Sequence, residues 1–311
     1  MHKGKVVIAA PVHQLLTEGL SGAGYEIVPC EHVTQDTAAG YLADCVGVIT
    51  STRLHLDKKL LDRTGQLQWI GRMGSGMEVV DVAYAAKKGV KCYSSPEGNC
   101  NAVAEHALGM LLALNKRIII SNNELKEGRW RRDANRGTEL EGKTVGIIGF
   151  GHTGRSFAKK LLGFDMQILV YDKYKHDDMP GYVTFCNNLE PIFREADIVS
   201  FHVPLQEDTI SYFDDKFIAQ MHKGFVLLNT SRGIVADVHA IKRGLESGKV
   251  TGACLDVWEE EPLEQMSLEV RQCFEEMIDM QNVIITPHIA GYSKESLYKM
   301  SKALLEKIVS S

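Results

Sequence analysis

Residues 144–154 read TVGIIGFGHTG, an apolar β-type run that ends in Gly149-x-Gly151-x-x-Gly154 and passes into the helical pattern SFAKKLLGF. Each glycine has a task. A tight turn, a close approach of backbone to a pyrophosphate and a helix packed on the preceding strand all exclude a side chain. A helix start at Thr153, with His152 beside it, offers unpaired N–H groups and a positive dipole end to phosphate. Three glycines alone describe any tight turn. The next β-type run, MQILVYD, adds the second requirement by ending in Asp172, whose carboxylate can accept hydrogen bonds from both ribose hydroxyls. That carboxylate repels a 2′-phosphate, so NAD is favoured over NADP, and Lys173 and Lys175 read as solvated charges.

Four more β-type runs follow, IVSFHV, FVLLNTS, VTGACLD and VIITPH, most of them ending in polar or small residues. Doubly wound sheets bind ligands at the carboxyl ends of their strands, which is where these polar residues fall. The first third has the same alternation. KVVIAA (5–10), YEIV (25–28), VGVIT (46–50) and QWIGRMG (68–74) are separated by helical patterns from Gln14 and through Ala38. The apolar content of 101–127 predicts one long helix buried between two domains, and SKESLYKMSKALLEKIVS predicts a closing helix capped by Ser293. The expectation is an α/β chain of two doubly wound parallel-sheet domains: 1–99 with 290–311 for substrate, and 100–289 for the dinucleotide.

With 35 basic and 40 acidic residues among 311, a net charge of −5, the chain has no electrostatic footprint for nucleic acid or anionic membrane. No apolar stretch suits a signal peptide or a membrane span. Cysteines at 30, 45, 92, 100, 186, 254 and 273 are scattered without a paired motif, so they read as reduced structural thiols. A cytoplasmic protein acting on a small molecule is expected. His176-Asp177-Asp178 reads as a solvated turn, and no metal is expected.

Three strand-end segments remain: NTSRG (229–233), LDVWEEEP (255–262) and TPHIAG (286–291). Together with ELEGKTVGIIGFGHTGR (139–155), HVPL (202–205), SRGIVAD (231–237) and ESGKVTGACLDV (246–257), they make the chain resemble the D-isomer-specific 2-hydroxyacid dehydrogenase family over nearly its whole length. The resemblance implies a Rossmann NAD-binding domain inserted in a flavodoxin-like substrate domain, a homodimer built through the dinucleotide domain, and catalytic Arg232, Glu261 and His288. Elementary chemistry is consistent with those roles. An imidazole titrating near neutrality can exchange the substrate hydroxyl proton, a carboxylate on its other nitrogen fixes the tautomer, and a guanidinium fork holds a carboxylate. The family motif selects Glu261, directly before Pro262, over Glu259 and Glu260. It also implies that Val103, His202, Pro204, Thr230 and Asp256 line the cofactor, and that Ser75 and Gly76 in RMGSGMEVVD (72–81) meet the substrate carboxylate.

Arg53, Arg72 and the run GRWRRDANRG (128–137) resemble the D-3-phosphoglycerate dehydrogenase branch, in a short form without a regulatory domain. D-3-phosphoglycerate and phosphohydroxypyruvate are therefore the leading substrate pair. The chain departs from that branch in having Ser51 and Thr52 before Arg53, Asn135 in place of a phenylalanine, and Met77-Glu78-Val79-Val80 in the glycine-rich loop. A glyoxylate/hydroxypyruvate or D-lactate-type reductase, and a non-enzymatic NAD-sensing module of the corepressor kind, are the alternatives.

Overall fold

The computed structural model describes residues 3–174 and 178–310. The chain divides into two compact units, Met1–Cys100 with Tyr292–Ser311, and Asn101–Gly291.

In the first unit, β1 (Gly4–Ile8), α1 (Gln14–Gly22), β2 (Tyr25–Pro29) and α2 (Ala38–Leu42) open an alternation of strand and helix. It continues through β3 (Cys45–Thr50), α3 (Lys58–Leu61), β4 (Trp69–Arg72), α4 (Val82–Lys87) and β5 (Lys91–Ser94). The strands are parallel and ordered β2-β1-β3-β4-β5, the flavodoxin-like order, with β3 buried along its length. Asp57 and Asp81 start α3 and α4 by accepting the N–H groups of Leu60 and Tyr84. The short edge strand β5 escapes sequence reading because it opens with exposed Lys91 and has no clean alternation.

α5 (Pro96–Asn115) begins on a proline, whose missing N–H costs nothing in a first turn. The single helix expected over 101–127 is in fact two, because Arg117 takes a left-handed backbone (φ 53°) before α6 (Ile118–Lys126). Its guanidinium, donating to Asn135 Oδ1 at 3.1 Å and Gln281 Oε1 at 2.9 Å, holds the break in place. α6 is not buried throughout either: Ile118, Ile119 and Leu125 are exposed.

The second unit then runs β6 (Thr144–Ile148), α7 (His152–Lys160), β7 (Gln167–Tyr171), β8 (Thr184–Phe185), α8 (Glu190–Glu195) and β9 (Ile198–Phe201). After these come α9 (Asp215–Gln220), β10 (Phe225–Asn229), α10 (Val238–Glu246), β11 (Val250–Leu255), α11 (Leu268–Ile278) and β12 (Val283–Ile285). Among the described residues its parallel sheet is ordered β12-β11-β10-β9-β6-β7-β8. β6 has β7 on one side and β9 on the other, so the winding reverses there, as in a Rossmann sheet. The two-residue β8 pairs only with β7 and is too short to show a pattern. The core is aromatic: Phe213 packs edge-on to Phe201 (6.0 Å) and Phe225 (6.1 Å), and burying each ring contributes on the order of 1.5–3 kcal/mol.

α12 (Lys294–Val309) starts with a reciprocal cap between Ser293 and Ser296 and closes the first unit. It packs closely: a Cβ on Gly19 of α1 would lie 2.3 Å from Leu305, and one on Gly98 of α5 would lie 2.4 Å from the backbone nitrogen of Met300. Among the described residues no helix is long and apolar enough to cross a membrane. Gly98→Ala must displace helix backbone, so it is expected to destabilise the protein by about 1–3 kcal/mol, read as a lowered midpoint in urea unfolding.

Candidate active site

Polar groups collect past the carboxyl ends of the strands in the second unit. β6 delivers the chain to Gly149, where φ is +92° and a Cβ would lie 2.5 Å from the carbonyl oxygen of His202. Only glycine fits there. Gly154 lets α7 sit on the turn, since its Cβ would lie 2.1 Å from Gly149 O. Gly151 is different: it caps α7 without a side chain, and a Cβ there meets nothing within 4 Å. The space over the helix start is open, and the first helical residue is His152 rather than Thr153.

Asp172, just past β7, accepts the N–H of Phe150 at 2.6 Å and of Tyr174 at 2.8 Å. Its carboxylate therefore fixes the glycine turn. Lys173 is drawn away to Gln206 Oε1 (2.6 Å) and Asp208 Oδ2 (2.8 Å). Lys175, His176 and Asp177 lie outside the described residues, while Asp178 pairs with Arg155 at 2.7 Å.

Two further atoms fit a dinucleotide. His202, directly after β9, shares a 2.9 Å hydrogen bond between Nε2 and Ser200 Oγ, and burial pushes its imidazole down to about 3. It is neutral at physiological pH. Its Nδ1 and the Thr230 hydroxyl after β10 are both buried without a hydrogen-bond partner among the described residues. Buried polar atoms in that condition can take a partner from outside the chain, water included. Val103 is buried on α5, and Pro204 O accepts the Thr209 hydroxyl at 2.8 Å.

The groups expected to be catalytic follow β10, β11 and β12. Asn229 shapes the first loop: Oδ1 accepts Ser231 N–H (3.1 Å) and Oγ–H (2.8 Å), while Nδ2 donates to Arg232 O (3.0 Å). Arg232 Nη1 donates to Ser231 O at 2.6 Å, so the guanidinium is folded back beside its own loop. Gly233 brings that loop against the next, for a Cβ there would lie 1.8 Å from Trp258 O.

Of the three glutamates only Glu261 meets the histidine. Glu260 Oε2 accepts the N–H of Ser267 (2.5 Å), and Glu259 is pushed up by burial, offset in part by the Val238 N–H. Glu261 Oε1 accepts Trp258 N–H at 2.7 Å, and Oε2 lies 2.7 Å from His288 Nδ1. Partial burial pushes the Glu261 carboxyl up, but the hydrogen bonds of His288 and Trp258 and the charges of His288 and Arg232 outweigh it. It stays below its ordinary value. A carboxylate only accepts, so Nδ1 carries the proton and Nε2 is left to exchange one. The His288 side chain is 47% exposed, which leaves that nitrogen accessible.

His288 has a left-handed backbone, φ 53°, held by Asp256. The Asp256 carbonyl accepts His288 N–H (2.8 Å), and its carboxylate accepts Ile289 N–H (2.9 Å), Ala290 N–H (2.8 Å) and the Thr286 hydroxyl (2.5 Å). The residue expected along the cofactor thus spends much of its hydrogen-bonding capacity on the turn. His106, on α5, reaches the same Thr286 hydroxyl at 2.9 Å. Nothing in the sequence marks His106, which follows Glu105 in an otherwise apolar helical pattern.

In the first unit, Arg53 follows β3, Arg72 ends β4, and Ser75 and Gly76 lie in the loop after β4. Arg53 is exposed and donates to Glu31 O at 3.2 Å. Arg72 is buried, donates to Met73 O at 3.2 Å, and occupies the place of a Gly74 side chain, 1.5 Å from that Cβ position. Ser95 ties the loop down by accepting Gly74 N–H at 2.9 Å. The departure at Met77–Val80 is accommodated by a tight turn, Val80 N–H to Met77 O at 2.9 Å, which seats Val80 in the core. Asn135, the departure in the tryptophan loop, donates to buried Glu124 at 2.5 Å.

Residues 108–290 match the family model for D-isomer specific 2-hydroxyacid dehydrogenase, NAD binding domain. The chain belongs to that family. It is accordingly an NAD-dependent oxidoreductase. It is 34% identical to a hydroxypyruvate reductase of Thermotoga maritima over 99% of this chain and 98% of that protein. It is also 30% identical to the D-3-phosphoglycerate dehydrogenase of Homo sapiens over 98% of this chain, but spans only 56% of that relative's length. A D-lactate dehydrogenase of Aquifex aeolicus, solved with NAD and lactic acid, superposes with a TM-score of 0.83 at 28% identity, over 98% of this chain and 94% of that one.

A depressed carboxyl contributes stability above its unfolded value, and the contribution is lost as pH falls through the lower folded value. The window for Glu261 therefore lies below its ordinary 4.5. Urea unfolding of Glu261→Gln at a series of pH values is expected to show a flatter acid limb than the wild type.

Proposed function

We propose that this dehydrogenase interconverts D-2-hydroxy acids and 2-oxo acids, with His288 as the proton-transfer group, Glu261 as its partner and Arg232 as the clamp on the substrate carboxylate. The observation that carries this reading is the 2.7 Å contact from His288 Nδ1 to Glu261 beside the Arg232 loop. Bound NADH supplies the hydride to C2 of the oxo acid. The protein's part is the proton and the geometry. Arg232 binds the carboxylate bidentately and polarises the oxo group, and protonated His288 gives its Nε2 proton to the oxo oxygen as that oxygen gains charge. Glu261 steadies the imidazolium beforehand and keeps the neutral ring in the Nδ1–H tautomer afterwards. Oxidation runs the same steps in reverse.

Gly149, Gly151, Gly154, Asp172, His202 and Thr230 are the groups proposed to hold NAD, through the open helix start, the ribose carboxylate and the two unpartnered buried atoms. For the substrate we propose phosphohydroxypyruvate and D-3-phosphoglycerate, supported by Arg53 just past β3 and Arg72 at the end of the adjacent β4, which the Ser75–Gly76 loop follows. A second reading, hydroxypyruvate, draws support from the full-length similarity to the Thermotoga reductase. A homodimer is also proposed, on the exposed apolar residues Ile118, Ile119, Leu125 and Trp130 of α6 and its following loop. Light scattering on the eluted protein is expected to give twice the 34.5 kDa chain mass, and half that value refutes it.

Loss of NADH absorbance should follow mixing with phosphohydroxypyruvate, and less readily with hydroxypyruvate, glyoxylate or pyruvate. His288→Ala should lower kcat by about 10²–10⁴-fold while NADH binding persists, and Arg232→Ala should raise KM as well as slow turnover. Wild-type kinetics in either variant rejects its role, and a preference for unphosphorylated acids moves Arg53 and Arg72 out of the substrate site.

A further inference from the structure

We infer that His106 is a positioning residue for the turn that carries His288, acting through Thr286 and Asp256. The inference rests on the catalytic reading of His288 above.

Donor and acceptor counting assigns the direction of each bond. The Thr286 hydroxyl lies 2.5 Å from Asp256 Oδ1, and an ionised carboxylate only accepts, so the one hydroxyl proton points at Asp256. The contact of His106 Nε2 with the same oxygen, 2.9 Å, must then be a donation from the imidazole. The Nε2–H also faces Asp256 Oδ1 at 3.5 Å. His106 is thereby held with its Nε2 protonated, and the order of donation runs from His106 to Thr286 to Asp256.

This chain ends on a carboxylate that is 1% exposed, where each donor matters because the charge has little water to turn to. Asp256 in turn holds the N–H groups of Ile289 and Ala290 and, through its carbonyl, that of His288. The left-handed backbone of His288 is an unfavourable state for a side-chain-bearing residue, so it persists only while its surroundings insist on it. His106 and Met110 stand one helical turn apart on α5, and both approach the Thr286 hydroxyl, Met110 through its sulfur at 3.8 Å. The helix thus adds two further contacts to the Thr286 hydroxyl besides that of Asp256.

The test uses steady-state kinetics with NADH and a 2-oxo acid that the wild type reduces, alongside NADH binding by fluorescence and thermal unfolding. His106→Leu is expected to lower kcat about tenfold, the worth of one charge-coupled hydrogen bond, with NADH affinity and substrate KM little changed. His106→Gln, whose amide N–H can reach Thr286, restores most of the loss. His106→Leu combined with Thr286→Val falls no further than the worse single variant, because both break one chain. Wild-type kcat in His106→Leu, or fully additive losses in the double variant, overturns the inference. Should His106→Leu fail to fold, His106→Asn carries the test, since its amide is too short to reach Thr286 and must lose kcat likewise. His288→Ala separates the two levels: an active His288→Ala enzyme sinks the catalytic reading, whereas an inactive one beside an unimpaired His106→Leu removes only His106.

Discussion

Every strand of the seven-stranded sheet runs the same way, and each crossover helix must carry the chain back before the next strand begins. The consequence is that the seven stretches of sequence that follow these strands, spread from Gly149 to His288, all leave the sheet at one edge. The constraint also decides which of them are neighbours. β6 lies between β7 and β9, so the glycine turn sits beside both Asp172 and His202, and the missing side chain at Gly149 lets its backbone touch that of His202. Along the other arm β10, β11 and β12 are consecutive, and Gly233 closes the gap between the Arg232 loop and the Glu261 loop. Two glycines of quite different sequence context therefore set the spacing of the whole edge.

Rigidity and reactivity are assigned to different groups. The His288–Glu261 pair is partly exposed, and an ion pair in contact with water contributes little to stability. It is suited to exchanging a proton rather than to holding a loop. The holding is done by Asp256, buried and surrounded by donors, at a site where a lost donor is poorly replaced by water. The left-handed backbone at His288 is thus fixed by groups other than its own ring, while the imidazole is anchored at Nδ1 on Glu261 and stays about half exposed.

What the sequence discloses is what local pattern encodes. The glycine turn, Asp172 at the end of the next strand, and the strand-end segments containing Arg232, Glu261 and His288 are readable because strand, turn and helix signals are contiguous there. The break at Arg117 is not, since it depends on Asn135 and Gln281, the latter 164 residues away. β8 is too short for periodicity, and β5 lacks alternation. Asp256 was visible as a strand-end acid, but its work on the 286–290 turn is a tertiary fact, and His106 has the look of a satisfied histidine in an apolar helix. Propensity and spacing locate groups along the chain; they do not say which distant donor completes a buried acceptor.

The same distinction bears on how NAD is favoured. Asp172 is expected to repel a 2′-phosphate, and it also accepts two backbone N–H groups that shape the glycine turn. Loss of the carboxylate would disturb the turn and the charge together, so the preference cannot be separated from the local fold. The adjacent Lys173 is engaged as well. Lys173 is tied to Gln206 and Asp208, chiefly by the hydrogen bond with Asp208, which raises the Lys173 pKa. Those partners follow β9, on the far side of β6 from the strand that Lys173 follows. A tie that reaches from one strand end to another across the intervening strand keeps the ammonium on its carboxylate, so a 2′-phosphate at Asp172 would meet a negative group and would have to compete with Asp208 for the Lys173 ammonium.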